Sequence, residues 1–456
     1  MTGDQTAVVI LAAGLGTRMK SSLPKVMHPL AGRPMIKHLL AAVEGLAPQQ
    51  ACVVIGAEMD AVARAVAPYP TVVQTERLGT GHAVLAAEPV LAGFAGDVLI
   101  VYGDTPLISP ATMQRMLDVK RAEPRPAVVV LGFRPEDPAA YGRLVVDGSG
   151  QLQAIVEAKD ASAEQLKIWL CNAGMMVVDG RHLFGFLHAL GNANAKGEYY
   201  LTDVVTLAQA QGLACRVAEG DERELIGVNS RADLARAEAF LQETLRQRAM
   251  NEGATLIDPA TVYFSADTRL GRDVTVGPSV FFGPGVTVGD RVEIRAFCHI
   301  EGAVIEEGAI VGPFSRLRPG AVLASGAHVG NFVEIKNATV EEGAKVNHLT
   351  YIGDARIGAK ANVGAGTITC NYDGFTKGFT DIGEGAFIGS NSSLVAPVKI
   401  GAGAIIGAGS VITREVETDA LALTRGPHLQ RKGWGRAFRT RKDEEKRKKQ
   451  AEKGDR

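Results

Sequence analysis

Two patterns of apolar positions divide the chain. From residue 6 to about 230, short β-rich runs ("AVVILAA", "ACVVIGA", "DVLIVYGD", "AVVVLGF") alternate with amphipathic stretches. That alternation predicts an α/β domain with a largely parallel sheet. Residues 230 to 250, "SRADLARAEAFLQETLRQRAM", contain no Gly or Pro and are rich in helix formers. They predict one long helix, capped by Ser230 or Asn229. From Val276 the period changes to words of six, each opening on an aliphatic or aromatic residue and carrying a small or β-branched one at the fifth place: "VGPSVF", "FGPGVT", "VGDRVE" and onward to "IGAGSV". Words of five occur at Ile300, Ile335 and Ile352, and Thr369 to Asp381 interrupts the rhythm. Such a period predicts a parallel β-helix whose coils take three words each, with first and fifth positions filling the core. The expected organisation is an α/β domain over 1–230, a linker helix over 231–250, a β-helix over 251–438 and a tail over 439–456, too charged to order itself.

Charge and cysteine content narrow the partners. Lys plus Arg total 49 and Asp plus Glu total 50, so net charge gives no reason to expect nucleic acid, and anionic ligands must be met by local groups. Five cysteines without CxxC or Cys/His ligand spacing read as incidental thiols in a reducing compartment. The N-terminus lacks a basic region and cleavage site, and no segment reaches the ~18 apolar residues of a membrane span. A cytoplasmic location is expected.

Candidate chemistry begins at "ILAAGLGTRMKSSLPK", where a buried strand runs into Gly14 and Gly16. Tight turning there brings backbone N–H groups against phosphate oxygens, at the expected start of a helix whose dipole favours anions. Met19 stands where a dinucleotide fingerprint needs a third Gly, and no Gly-Lys-Ser/Thr follows. What remains is a Gly loop with two spaced cations, Arg18 and Lys25, suited to a polyphosphate. Asp104, ending the strand "VLIVYGD", reads equally as a magnesium ligand or as a turn cap; Asn229 alone reads as a helix cap. On the repeats, Arg318 and Lys336 are second in their words and should stack one coil apart. His348 is third and Tyr351 sixth in "VNHLTY", Ala365 follows His348 one coil later, and Ser390 and Ala408 repeat that relation, expected on another face. The interruption "TCNYDGFTKGFTD" should carry Asn371 and Tyr372 outward. By geometry alone His348 reads as a base or as a solvated side chain, and the Arg318/Lys336 pair as an anion site or as two side chains diverging into water.

The loop "LAAGLGTRM…LPK", with "QTERLGTGHAV", "VYGDTPLI", "YGRLVV", "IVEAKDA", "NAGMMV", "EYYLTDVV" and "IGVNSRADL", resembles the sugar-1-phosphate nucleotidylyltransferases. With the hexapeptides attached, residues 6 to about 435 resemble the bifunctional bacterial GlmU family. The resemblance implies a Rossmann-like nucleotidylyltransferase domain, a left-handed β-helix and a homotrimer with sites between subunits. It implies acetyl transfer from acetyl-CoA to the amine of glucosamine-1-phosphate, then uridylyl transfer from UTP to N-acetylglucosamine-1-phosphate, supplying peptidoglycan and lipopolysaccharide precursors. Carried over, the nucleotide and its sugar would meet Leu11, Ala12, Ala13, Gly14, Gln74, Gly79, Thr80, Tyr102, Gly103, Gly142, Glu157 and Asn172. Arg18 and Lys25 would hold phosphates, and Asp104 and Asn229 would hold Mg2+. On the coils, Arg318, Lys336, Tyr351 and Asn362 would bind the sugar phosphate, while Ala365, Asn371, Tyr372, Ser390, Ala408 and Arg425 would lie at acetyl-CoA. His348 would be the general base, with Glu334 a candidate to orient it and Cys370 the rival covalent group. Two other readings stand beside this one: a single-activity nucleotidylyltransferase with a structural β-helix, and a non-enzymatic scaffold.

Overall fold

The computed structural model describes residues 4–138, 141–194 and 196–454. The chain folds as two compact units: Met1–Thr287 with His299–Gly302, and Val288–Cys298 with Ala303–Arg456. The first unit thus takes in the α/β domain, the linker helix and the opening turns of the repeats.

In the first unit the main sheet runs in the order Cys215–Glu219, Val128–Phe133, Cys171–Asp179, Asp97–Tyr102, Thr6–Leu11, Gln50–Gly56, Thr71–Gln74. Every neighbouring pair is parallel except those made by Cys171–Asp179, which runs antiparallel to both neighbours. The apolar runs are continuous because both faces are covered: Ala7, Val9 and Leu11 point into one core, Val8, Ile10 and Ala12 into the other. Thr6–Leu11 lies between Asp97–Tyr102 and Gln50–Gly56, where the winding of the sheet reverses, so a crevice opens at the carboxyl ends of these strands.

The long helix is Arg231–Asn251, capped by Ser230 in a reciprocal box with Asp233. It buries Ala237 against Leu30, Met35, Ile226 and Val228.

The second unit carries parallel coils. First-position residues (Ile294, Val311, Leu317, Leu323, Val329, Ile335, Val346, Ile352, Ile388, Ile406) and fifth-position ones (Ala309, Ser315, Ala327, Val333, Ala344, Thr350, Ala386, Ser410) are all buried. The chain turns at the fourth position in left-handed conformation, at glycines such as Gly308 and Gly326 but also at Phe297, Phe314, Phe332 and Leu349. Ordinary side chains take that conformation at a cost of about 1–2 kcal/mol, which the stacked coil above and below must offset. Partners are 18 residues apart, 17 where a five-residue word intervenes and 25 across the inserted loop, as in Arg316↔Glu334, Val346↔Val363 and Asn362↔Phe387.

Three expectations need correcting. Ser390 and Ala408 do not lie on another face: Val346 pairs with Val363, Asn362 and Val363 with Phe387 and Ile388, and Ile388 with Ile406. His348, Ala365, Ser390 and Ala408 therefore form one corner column, since the inserted loop adds residues without shifting the register. Gly14–Gly16 leads not into a full helix but into a single 3-10 turn, Thr17–Met19, so no helix dipole of consequence faces that loop. The tail is helical over Trp434–Gly454; its Lys, Arg, Glu and Ala are strong helix formers, and Lys442 and Arg441 pair with Glu445. Residues 455–456 of the expected tail lie outside the described residues.

Candidate functional site

The crevice of the first unit is a cavity of about 400 Å³ lined by Leu11, Ala12, Ala13, Gly14, Lys25, Gln74, Gly79, Thr80, Tyr102 and Asp104, among others. Local folding brings these together. Gly16 has φ +63°, and a Cβ there would lie 2.6 Å from Cβ of Lys25, so only glycine lets the Lys25 stem pass close under the loop. Gly79 has φ +104° and packs against Tyr199, whose amide donates to Leu78 and whose carbonyl accepts from Gly81. Gln74 is buried and donates to the Gly79 carbonyl at 3.1 Å. Tyr102 bonds Thr80; burial, and then the charge of Asp104, push its phenol up.

Lys25 Nζ donates to Asp104 Oδ2 and, at 3.1 Å, to Asn229 Oδ1. Ser230 rather than Asn229 caps the linker helix, which frees the Asn229 carboxamide, and Ser109 caps the helix after Asp104, which frees that carboxylate. The two oxygens converge on one point. They are hard donors of the kind a divalent cation accepts. Among the described residues no three His, Cys, Asp or Glu gather as a metal cage, so a cation here would draw further ligands from a substrate.

Gly142, Glu157 and Asn172 form a second group: the Asn172 amide donates to the Gly142 carbonyl at 2.8 Å, and Glu157 lies beside Gly142. They do not line the cavity, and neither do Gly103 and Arg18; Gly103 bonds the Leu11 carbonyl, and Arg18 is exposed on the 3-10 turn. Sequence reasoning missed Arg77, which lines the cavity and donates to the Ala13 carbonyl at 3.0 Å, and also Glu198 and Tyr200. The signals were a cation inside "QTERLGTGHAV" and, for Glu198 and Tyr200, the opening of "EYYLTDVV".

On the coils, His348 sits exposed at a corner with Nδ1 2.7 Å from Asn331 Oδ1, one coil below. Glu334, the expected partner, is instead held by Arg318 at 2.8 Å. Arg318 and Lys336 stack as expected, given Leu317↔Ile335. Lys377, from the inserted loop, joins them; the contact with Lys377, then the charges of Lys377 and Arg318, lower the Lys336 ammonium below its ordinary value. That makes three cations, of which the sequence singled out two. Asp354 accepts from Asn337 at 2.6 Å and from Asn371 at 2.5 Å. Burial would raise its carboxyl, but these two amides and the charges of Lys377 and Lys336 hold it below the usual range. Asn371 is thus buried against the coil, not carried outward; Tyr372 is exposed, as expected. The Tyr351 hydroxyl lies over Gly353, close to Asn371. Asn362 stands apart, above Lys345 on the strand leading to the His348 corner. Arg425 donates to the Ala408 carbonyl at 3.1 Å. Cys370 is half-buried and stacks in register above Gly353, at the corner of the cations. Cys52, Cys215 and Cys298 are buried, with their thiols pushed up to about 11.

A nucleotide-sized crevice at the switch point of an α/β sheet, followed by hexapeptide coils, defines a nucleotidyltransferase joined to a β-helix transferase. The sequence agrees: residues 8–168 match the MobA-like NTP transferase domain, and residues 267–302 and 379–414 match the bacterial transferase hexapeptide (six repeats). Three relatives, each called "Bifunctional protein GlmU", match nearly end to end. They come from Paramagnetospirillum magneticum (62% identical over 98% of this chain and 100% of the relative), Rhodospirillum rubrum (68% over 95% and 97%) and Xanthobacter autotrophicus (55% over 98% and 100%). The chain belongs to the bifunctional GlmU family and is an enzyme with two transferase activities, uridylyl and acetyl transfer; the single-activity and scaffold readings are not favoured. Among the described residues no helix is long and apolar enough to cross a membrane.

Proposed function

We propose that the crevice transfers the uridylyl group of UTP to N-acetylglucosamine-1-phosphate, and that the coils acetylate the amine of glucosamine-1-phosphate from acetyl-CoA. The observation that carries the first half is the convergence of Lys25, Asp104 and Asn229 at the mouth of the crevice. Leu11 to Gly14, Gln74, Gly79, Thr80 and Tyr102 seat the nucleoside, and Gly142, Glu157 and Asn172 the sugar. The sugar phosphate attacks the α-phosphorus in line and pyrophosphate leaves, with Lys25 and Arg18 meeting its charge. Asp104 and Asn229 would hold Mg2+, which supplies charge neutralisation at the phosphates when bound.

On the coils Arg318 and Lys336, with Lys377, take the phosphate, Tyr351 and Asn362 the sugar, and Ala365, Ser390, Ala408 and Arg425 the acyl donor, with Asn371 and Tyr372 at the edge of that site. His348 takes a proton from the substrate amine as its nitrogen attacks the thioester carbonyl. The tetrahedral intermediate then collapses, and the departing CoA thiolate recovers a proton. The division of the chain into a uridylyltransferase domain (1–230), linker helix (231–250) and acetyltransferase domain (251–438), and its assembly as a homotrimer with sites between subunits, belong to the same proposal. Support for contact between copies comes from the exposed ladder Phe297, Phe314, Phe332 and Leu349 at the His348 corner, its rings stacked at 4.8 and 5.1 Å.

The test is a paired assay: CoA release with acetyl-CoA and glucosamine-1-phosphate, and pyrophosphate release with UTP and N-acetylglucosamine-1-phosphate. His348→Ala should lose acetyl transfer by at least about a hundredfold and keep uridylyl transfer, while Asp104→Ala should do the reverse. Near-normal acetyl transfer by His348→Ala would sink the assignment of the base.

A further inference from the structure

We infer that Asn331 is the positioning residue of the acetyl-transfer base, holding the imidazole of His348 in the tautomer that the reaction requires. The inference rests on the reading of His348 as that base.

Asn331 is third in "VGNFVE" and His348 third in "VNHLTY", and the register pairs them one coil apart in the same corner column. The carboxamide oxygen lies 2.7 Å from Nδ1. An amide oxygen can only accept, so Nδ1 carries the hydrogen and Nε2 keeps a free lone pair. The backbone that carries the imidazole is held in place: the His348 carbonyl accepts from the Thr350 hydroxyl at 2.7 Å and from the Gly366 amide at 3.2 Å, which leaves Asn331 to fix the ring itself. The residues above it, Ala365 and Gly366, are small, so that side of the ring stays open.

The chemistry favours an amide over a carboxylate here. A base that must begin neutral is best oriented by a group without charge; an aspartate would stabilise the imidazolium and keep the ring protonated to higher pH. The charged groups around the column fit this. His328 and Lys345 pair across the same two coils, and Arg295 and Glu293 act on His328 from two coils below. Glu334, one strand further along the face, is bound by Arg318 at 2.8 Å.

The experiment measures kcat, KM and the pH profile of acetyl transfer in the full-length enzyme for wild type, Asn331→Leu, Asn331→Asp and His348→Ala, with uridylyl transfer as the gauge of folding. Asn331→Leu should lose about ten- to a hundredfold in kcat, by analogy with the loss of other orienting partners of histidine, with both KM values little changed. Asn331→Asp, which is isosteric and still accepts, should restore most of kcat at high pH and move the acid limb of the profile upward by about one unit or more. If His348→Ala stays active, the base itself has been misassigned. If His348→Ala is inactive but Asn331→Leu keeps its kcat, or Asn331→Asp keeps the wild-type profile, the positioning role is overturned while the base stands.

Discussion

Lys25 satisfies Asp104 and Asn229 with the same ammonium group, so the lysine stands where the proposed divalent cation would be held. On the proposed reading, a cation held by Asp104 and Asn229 would compete with that ammonium and turn Lys25 toward the phosphates. Lys25→Met should therefore bind Mn2+ more tightly than wild type in the absence of nucleotide, by several-fold, while losing uridylyl transfer. Calorimetric titration with Mn2+ alone checks the first part; equal or weaker binding would show that the lysine is not a competitor. Gly16 belongs to this device, since its missing Cβ is what lets Lys25 approach. The glycine was legible in the sequence as a phosphate loop, but its packing partner was not, because nothing local joins residues 16 and 25.

Among the elements, the helix Gly180–His188 starts at Asp179, whose carboxylate accepts from the Arg181 amide and lies 3.6 Å from the buried Lys120. Burial would raise this carboxyl, but the Arg181 bonds and the Lys120 charge outweigh it, and it titrates at about 2. A carboxyl held lower in the folded state than in the unfolded one contributes stability that is full above about pH 4 and is lost as pH falls toward 2. Asp179→Asn should cost on the order of 2 kcal/mol at neutral pH. Urea unfolding at pH 7 and near pH 2.5 should show that difference shrinking; a constant difference would assign the loss to the helix cap alone. Elements of this kind were legible where a period or a cap marks them: the repeat register and the linker helix both follow from residues at fixed spacing. The corner shared by His348, Ser390 and Ala408 was not, because counting residues fails across an insertion whose length the register ignores. Asn331 was missed for a related reason: its partner lies 17 residues away, and "VGNFVE" has no unusual residue to mark it.

For the whole molecule, the exposed Phe297, Phe314 and Phe332 need a cover, and a second copy of the chain is the proposed one. Wild type should sediment at three times the 48.0 kDa chain mass. Phe314→Glu with Phe332→Glu should dissociate it and depress acetyl transfer at least about tenfold, leaving uridylyl transfer within about twofold. Analytical ultracentrifugation with the paired assay checks this, and a monomeric wild type would remove the trimer.

The corner column also sets a length. His348, Ala365, Ser390 and Ala408 occupy successive coils, and neighbouring strands lie about 4.8 Å apart, so base and last contact are separated by roughly 14 Å. Ala365 and Ser390 are 25 residues apart in sequence but adjacent in space, so the loop between them leaves that spacing untouched. On the proposed reading the β-helix would work as a ruler graduated in coils, measuring a donor whose reactive end stops at the imidazole. Deleting one whole coil between His348 and Ala408 would shorten the ruler by one graduation and should select a correspondingly shorter acyl carrier.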